Sequence, residues 1–133
     1  MTININTSQK LIFVQYLNII NPLFGTNKLS NSEIEVLGRI LSIDYAYKQY
    51  PADIRNKIIF SSEARNRMMR DISESNSTFS KQVFNNTIMS LKKKGIITGH
   101  KGNSQLVLNN PFISDVKNKT LTVTFNLHGE DLV

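Results

Sequence analysis

The chain has 133 residues, 40% of them apolar and 20% charged, which is the size of one domain and too apolar for a disordered chain. It has no cysteine and two histidines far apart in sequence, His100 and His128; this excludes disulfides, thiolate chemistry and Cys-based zinc sites and argues against a His-rich metal site. Sixteen Lys and Arg against ten Asp and Glu leave a net charge of +6, a balance that calls for an anionic partner, nucleic acid ahead of a membrane surface.

The N-terminus, Met1-Thr2-Ile3-Asn4-Ile5-Asn6, lacks the basic start and apolar run of a signal peptide. The longest apolar run, Leu11 to Val14, stops at Gln15, far short of the roughly 20 residues of a membrane span. The expected location is the cytoplasm, of a host cell if the chain is phage-encoded, with no secretion and no membrane partner. Thr7 or Ser8 is placed to cap a helix running to about Ile20, where Asn21-Pro22 stops it. Leu11, Ile12, Phe13 and Val14 make that helix apolar on more than one side, which predicts a homodimer that covers it.

Leu23 to Lys28 reads as a loop. Ser30-Asn31-Ser32-Glu33 fits a capping box. The helix it opens places Ile34, Leu37, Ile40, Leu41, Asp44 and Tyr45 near the 3, 4, 7 spacing and runs to about Gln49. Tyr45, Tyr47 and Tyr50 read as packing groups at its end. Pro51 starts a short helix reaching Ile58, Ile59 and Phe60. Ser61-Ser62-Glu63 opens another, with Arg65, Arg67, Met68, Met69, Arg70 and Ile72, and Ser73 to Ser77 reads as a polar turn.

Thr78 to Lys94 is the most informative stretch. At 100° per residue, Val83, Phe84, Thr87, Ile88 and Leu91 fall on one side, and Gln82, Asn85, Asn86, Met89, Lys92 and Lys93 on the other. Phe84, Ile88 and Leu91 are expected to pack against the helix of Leu37 and Leu41. Lys92-Lys93-Lys94-Gly95 ends the helix with cations at its negative end and Gly at C′. Ile96-Ile97-Thr98 and Ser104 to Asn109 read as two strands of a hairpin, with a basic tip at Gly99 to Asn103. After Asn110-Pro111 and a turn at Asp115 to Lys119, Thr120 to Leu127 alternates apolar and polar residues as a half-buried strand. Its expected partner is the hairpin, Ile113-Ser114, or Ile3 and Ile5.

The positive charge is confined. From Arg55 to Lys101 ten basic residues face three acids, a net +7, and the rest of the chain carries −1. Asn, Ile and Lys are abundant throughout, as an AT-rich genome encodes, so no single Asn or Lys carries weight alone.

Helix, polar turn, helix ending in Lys92-Lys93-Lys94-Gly95-Ile96-Ile97, then a hairpin returning through Leu106-Val107-Leu108-Asn109-Asn110-Pro111: this order resembles the winged helix-turn-helix family, over about residues 61–111. The strand ending in Asn-Pro is similar to the replication initiators of small plasmids and phages. The turn between Ile72 and Thr78 is longer and richer in Ser than the family's tight turn, and the first 50 residues match nothing in it. The resemblance implies an α+β, mainly α fold in a single domain. Residues 1–50 would be an N-terminal helical extension, 61–111 the winged-helix core and 112–133 a C-terminal strand.

The resemblance further implies a non-enzymatic double-stranded DNA-binding protein, a phage or plasmid regulator or replication-associated factor with no cofactor. The helix 78–94 would enter the major groove, with the hairpin 96–109 as wing. Gln82, Asn85 and Asn86 would contact base edges, adenine above all. Arg65, Arg67, Arg70, Lys81, Lys92, Lys93, Lys94 and Lys101 would contact phosphates.

Enzyme readings find little support. Glu33 and Glu35 are better explained as helix-start residues than as a catalytic pair. Neither histidine has a nearby partner in sequence, and Gly99-His100-Lys101-Gly102 is too short to cradle a phosphate. The competing reading is a structural assembly subunit of a phage virion or other complex, with protein partners held by the winged helix. The amide-and-lysine face favours DNA; the share of chain outside residues 61–111 favours assembly.

Overall fold

A computed structural model describes residues 2–7, 11–22, 28–99, 106–108 and 122–127, with the backbone alone at 2–7, 99, 106–108 and 122–127. Among these residues the chain forms β1 (Thr2–Thr7), α1 (Ile12–Ile20), α2 (Asn31–Ala46), α3 (Ala52–Ile59), α4 (Ser62–Ser75), α5 (Lys81–Lys93), β2 (Ile97–Gly99), β3 (Leu106–Leu108) and β4 (Thr122–Leu127). The described fold is mainly helical, and none of these helices is long and apolar enough to cross a membrane.

The middle helix, α2, organises the rest: α1, α3, α4 and α5 all touch it. Its start is the capping box read from the sequence. The Ser30 hydroxyl accepts from the Glu33 N–H at 3.2 Å, and the Ser30 N–H donates to the Glu33 carboxylate at 2.8 Å. Val36 and Ile40 are fully enclosed. Phe84 and Leu91 of α5 join Leu37 and Leu41 of α2 in one core, with Ile88 half-buried against it. This is the packing expected of α5, except that Ile88 sits at the core's edge.

Helix α1 lies against α2 at Gly38, where a side chain would meet the Val14 backbone at 2.8 Å. The glycine therefore sets how closely the two helices approach. Asn21 fixes the far end of α1. Its side chain accepts from the Leu29 N–H at 2.7 Å and donates to the Leu29 carbonyl at 3.0 Å, standing in for a strand partner just before α2.

Two expectations at helix starts are corrected. Thr7 is no cap; it ends β1, Ser8 lies outside the described residues, and α1 begins at Ile12 with no side-chain hydrogen bond at its N-cap, Leu11. The alternation of Ile3 and Ile5 with Asn and Thr suits a strand, and β1 pairs in parallel with β4, Ile3 opposite Val123 and Ile5 opposite Phe125. Of the three partners expected for the terminal strand, the pairing is with Ile3 and Ile5. The second correction concerns the helix expected from Thr78. It starts at Lys81, capped by the Ser80 hydroxyl accepting from the Val83 N–H at 3.2 Å.

Residues 76–80 are instead a defined turn. Asn76 Oδ1 accepts from both the N–H (3.2 Å) and the hydroxyl (2.7 Å) of Thr78. Phe79 is buried edge-on to Phe84, with ring centroids 6.4 Å apart. Burying Phe79 outweighs another turn of helix. Helix α4 meanwhile runs on to Ser75, through the serines expected to form the turn. Helix α2 stops at Ala46, three residues short of the expected end.

Helix α5 ends as its sequence requires. Gly95 takes φ +76°, its N–H donates to the Lys92 carbonyl and the Ile96 N–H to the Leu91 carbonyl, both at 3.0 Å. That pair of bonds is the Schellman arrangement, open to Gly because a left-handed residue is required there. The chain leaves into β2, which pairs antiparallel with β3, Ile97 opposite Leu108 and Gly99 opposite Leu106. The tip of this pair, with Lys101, and the segment Asn109-Asn110-Pro111 lie outside the described residues.

Candidate nucleic-acid interface

On α5 the buried side is Phe84, Thr87 and Leu91. Opposite it, Gln82, Asn85, Asn86, Met89, Lys92 and Lys93 are all exposed, within about 120° of arc at 100° per residue. Residues three and four apart on a helix are neighbours, so the face reads amide, amide pair, thioether, lysine pair from start to end. The core thus decides the orientation of the face. Among the described residues, no hydrogen bond or ion pair engages the side chains of Gln82, Asn85, Asn86, Lys81, Lys92 or Lys93. The amides keep both donor and acceptor available, which bidentate contact with an adenine edge requires.

Beside this face, between α4 and α5, runs a groove of about 260 Å³. Ile59, Phe60, Met68 and Ile88 give it an apolar lining, and Arg65, Asn85, Met89 and Lys92 also line it. The structure therefore brings Arg65 together with Asn85 and Lys92. Arg67 goes elsewhere. It lines a second cleft of about 290 Å³ shared by α2, α3 and α4, together with Arg39, Tyr47, Glu63 and Asp71. Arg67 also lies 3.7 Å from Glu63, both side chains largely exposed, a pair worth little in water. Arg70 is exposed and lines neither cleft.

Lys94 differs from its two neighbours. Its Nζ donates to Glu33 Oε1 at 2.7 Å and to the Lys28 carbonyl at 2.8 Å, while the Ser90 hydroxyl donates to Glu33 Oε2 at 2.9 Å. Lys94 is thus committed to fastening α5 onto the start of α2, rather than presented beside Lys92 and Lys93. Burial alone raises the Glu33 pKa. The hydrogen bonds from Lys94, the Ser30 N–H and Ser90, with the lysine charge, outweigh burial and hold it below the ordinary glutamate value. Arg55 is likewise engaged, with Asp44 at 2.8 Å and the Tyr50 carbonyl.

Sequence reasoning missed the Glu33–Lys94 pair because the partners are 61 residues apart and a lysine at a helix C-terminus is already explained by the dipole. It also left Met89 unused, although the helical wheel placed it amid the polar face. The tyrosines at the end of α2, expected as packing groups, are exposed: Tyr45 by 53%, Tyr47 by 39% and Tyr50 by 44%. Lys48 lies over the Tyr45 ring at 4.1 Å, and Tyr47 and Tyr50 face each other at 6.0 Å.

Among the described residues no group of three or more His, Cys, Asp or Glu is placed to hold a metal. His100, His128 and Lys101 lie outside them. No protein-family model, curated protein or solved structure matches the chain.

Proposed function

We propose that this chain is a non-enzymatic double-stranded DNA-binding protein of the winged helix-turn-helix kind, a phage or plasmid regulator or replication-associated factor. In it α4, residues 76–80 and α5 act as the helix-turn-helix and β2–β3 as the base of the wing. One observation carries the reading: an exposed helix face on which three unengaged amides are flanked by Lys81, Lys92 and Lys93, with Arg65 across the adjoining groove. A major groove admits one helix. In this reading Gln82, Asn85 and Asn86 reach base edges, while the lysines, Arg65 and Arg70 neutralise phosphates. Lys94 is left out of the phosphate set because its charge is matched by Glu33. Anisotropy of a labelled duplex tests this directly. Binding at low salt that weakens steeply between about 50 and 200 mM salt is expected; no duplex binding at low salt overturns it.

A second reading, an assembly subunit or homodimer, has its own support. Four of the five large apolar side chains that stand exposed among the described residues, Tyr45, Tyr47, Tyr50 and Ile54, fall within ten residues of chain. Phe13 of α1 touches Tyr45 with ring centroids 5.9 Å apart, so the N-terminal helix adjoins this patch. Tyrosine-rich exposed patches are typical of protein contacts. The other ground for a dimer, an α1 apolar on more than one side, is weaker. Val14, Leu17 and Ile20 are buried within the chain, and Asn18 alone in α1 is exposed.

A further inference from the structure

Met89 is the most exposed large apolar side chain among the described residues, at 57%, and stands apart from the tyrosine patch. It occupies the middle of the polar face of α5. Asn85 and Asn86 are one turn before it, Lys92 and Lys93 one turn after, and all four are exposed. Its side chain also lines the edge of the α4–α5 groove beside Arg65 and Ile88. A single exposed apolar side chain is ordinary on a protein surface; what sets Met89 apart is its place between the amides and the lysines, since a face that reads DNA has one apolar group to meet. In the major groove each base pair presents donors and acceptors, and the one apolar group among them is the thymine 5-methyl.

We propose that Met89 is a specificity-determining residue that packs on a thymine 5-methyl, next to an adenine held by Asn85 or Asn86. The assignment rests on the DNA reading above and narrows it: the preferred site contains an adenine and a thymine within the reach of one helical turn. An unbranched, polarizable thioether suits this task because it adapts to a methyl group at a range of angles. Neighbouring amides fix the register, so the methyl contact adds selectivity without setting the docking geometry.

Functional-group replacement in the DNA tests this. A duplex is first selected from a random library with the wild-type protein. Each thymine is then replaced singly by deoxyuridine, which removes the methyl and leaves every hydrogen-bonding group. Wild-type protein should bind roughly fourfold more weakly at one or two positions, the weight of one buried methyl-sized group at about 0.8 kcal/mol. Met89→Ala should bind the unmodified duplex about that much more weakly and be indifferent to deoxyuridine at the same positions. Exposure of Met89 keeps the substitution out of the core, and an unchanged melting curve verifies it.

Deoxyuridine effects of equal size in wild type and variant overturn the assignment alone, and so does a selected duplex with no thymine to which the wild type responds. Absence of any duplex binding overturns the DNA reading and the assignment together, so the two failures are distinguishable.

Discussion

Glu33 is 3% exposed yet holds its charge, because its carboxylate takes hydrogen bonds from Lys94, Ser90 and the Ser30 N–H. Lys94→Ala leaves that carboxylate buried without its cation and should cost about 1.5–3 kcal/mol of stability, the scale of a hydrogen bond to a charged group. Lys92→Ala and Lys93→Ala, at exposed positions, should leave the melting temperature nearly unchanged. Chemical denaturation of the three variants separates the roles. The same site sets an acid limit. The folded pKa lies below the unfolded value of about 4.3, so the contribution is complete above that value and is lost as pH falls through the folded one. Melting temperatures recorded from neutral pH to about pH 3 should fall at the acid end, and Glu33→Gln should flatten that fall. An unchanged acid limb in Glu33→Gln would contradict the assignment. At the positions proposed to read bases, Gln82→Ala and Asn85→Ala should each reduce discrimination between duplexes by about 1–3 kcal/mol, the worth of one well-placed amide on a base edge.

Helix α2 holds its neighbours through steric fit as well as area. Gly38→Ala improves helix propensity by about 1 kcal/mol, but its methyl would collide with the Val14 backbone. Overpacking of this kind costs about 1–3 kcal/mol, so a net loss of stability is expected on urea denaturation, and a gain would show that α1 moves freely. Leu91 is wholly buried between α5 and α2, and Leu91→Ala should cost about 2–5 kcal/mol. What the sequence made legible at this scale is what local chemistry decides. The Ser30–Glu33 box, the Gly95 stop and the apolar phase of Phe84, Thr87 and Leu91 each depend on residues within a few positions of one another. What it did not reveal depends on distant partners. Thr2–Thr7 becomes a strand through Thr122–Leu127, at the other end of the chain. The start of α5 shifts to Lys81 because Phe79 finds Phe84, an aromatic pairing that no helical period announces.

For the molecule as a whole, the candidate interface was partly legible. Periodicity placed Gln82, Asn85, Asn86, Lys92 and Lys93 on one face, and the structure keeps them there. It could not separate Arg65 from Arg67, two residues apart on α4, which line different clefts. Nor could it tell Lys94 from Lys93, since the distinction lies in Glu33. The aromatic surface from Phe13 to Ile54 lies on other elements, α1 to α3, so the proposed self-association and the proposed duplex binding can be tested separately. Light scattering should give a dimer mass that falls to the monomer with Tyr45→Ser and Tyr47→Ser together; a monomer at high concentration in the wild type would remove the dimer.

The most direct test of the central claim is the salt dependence of duplex affinity in wild type and in the Lys92→Ala, Lys93→Ala double variant. Each phosphate contact on duplex DNA contributes about −0.9 to the slope of log affinity against log salt. The double variant should bind every sequence more weakly, with a slope flatter by up to about two units. Equal slopes in the two proteins, or no binding of any duplex by the wild type at low salt, would contradict the claim.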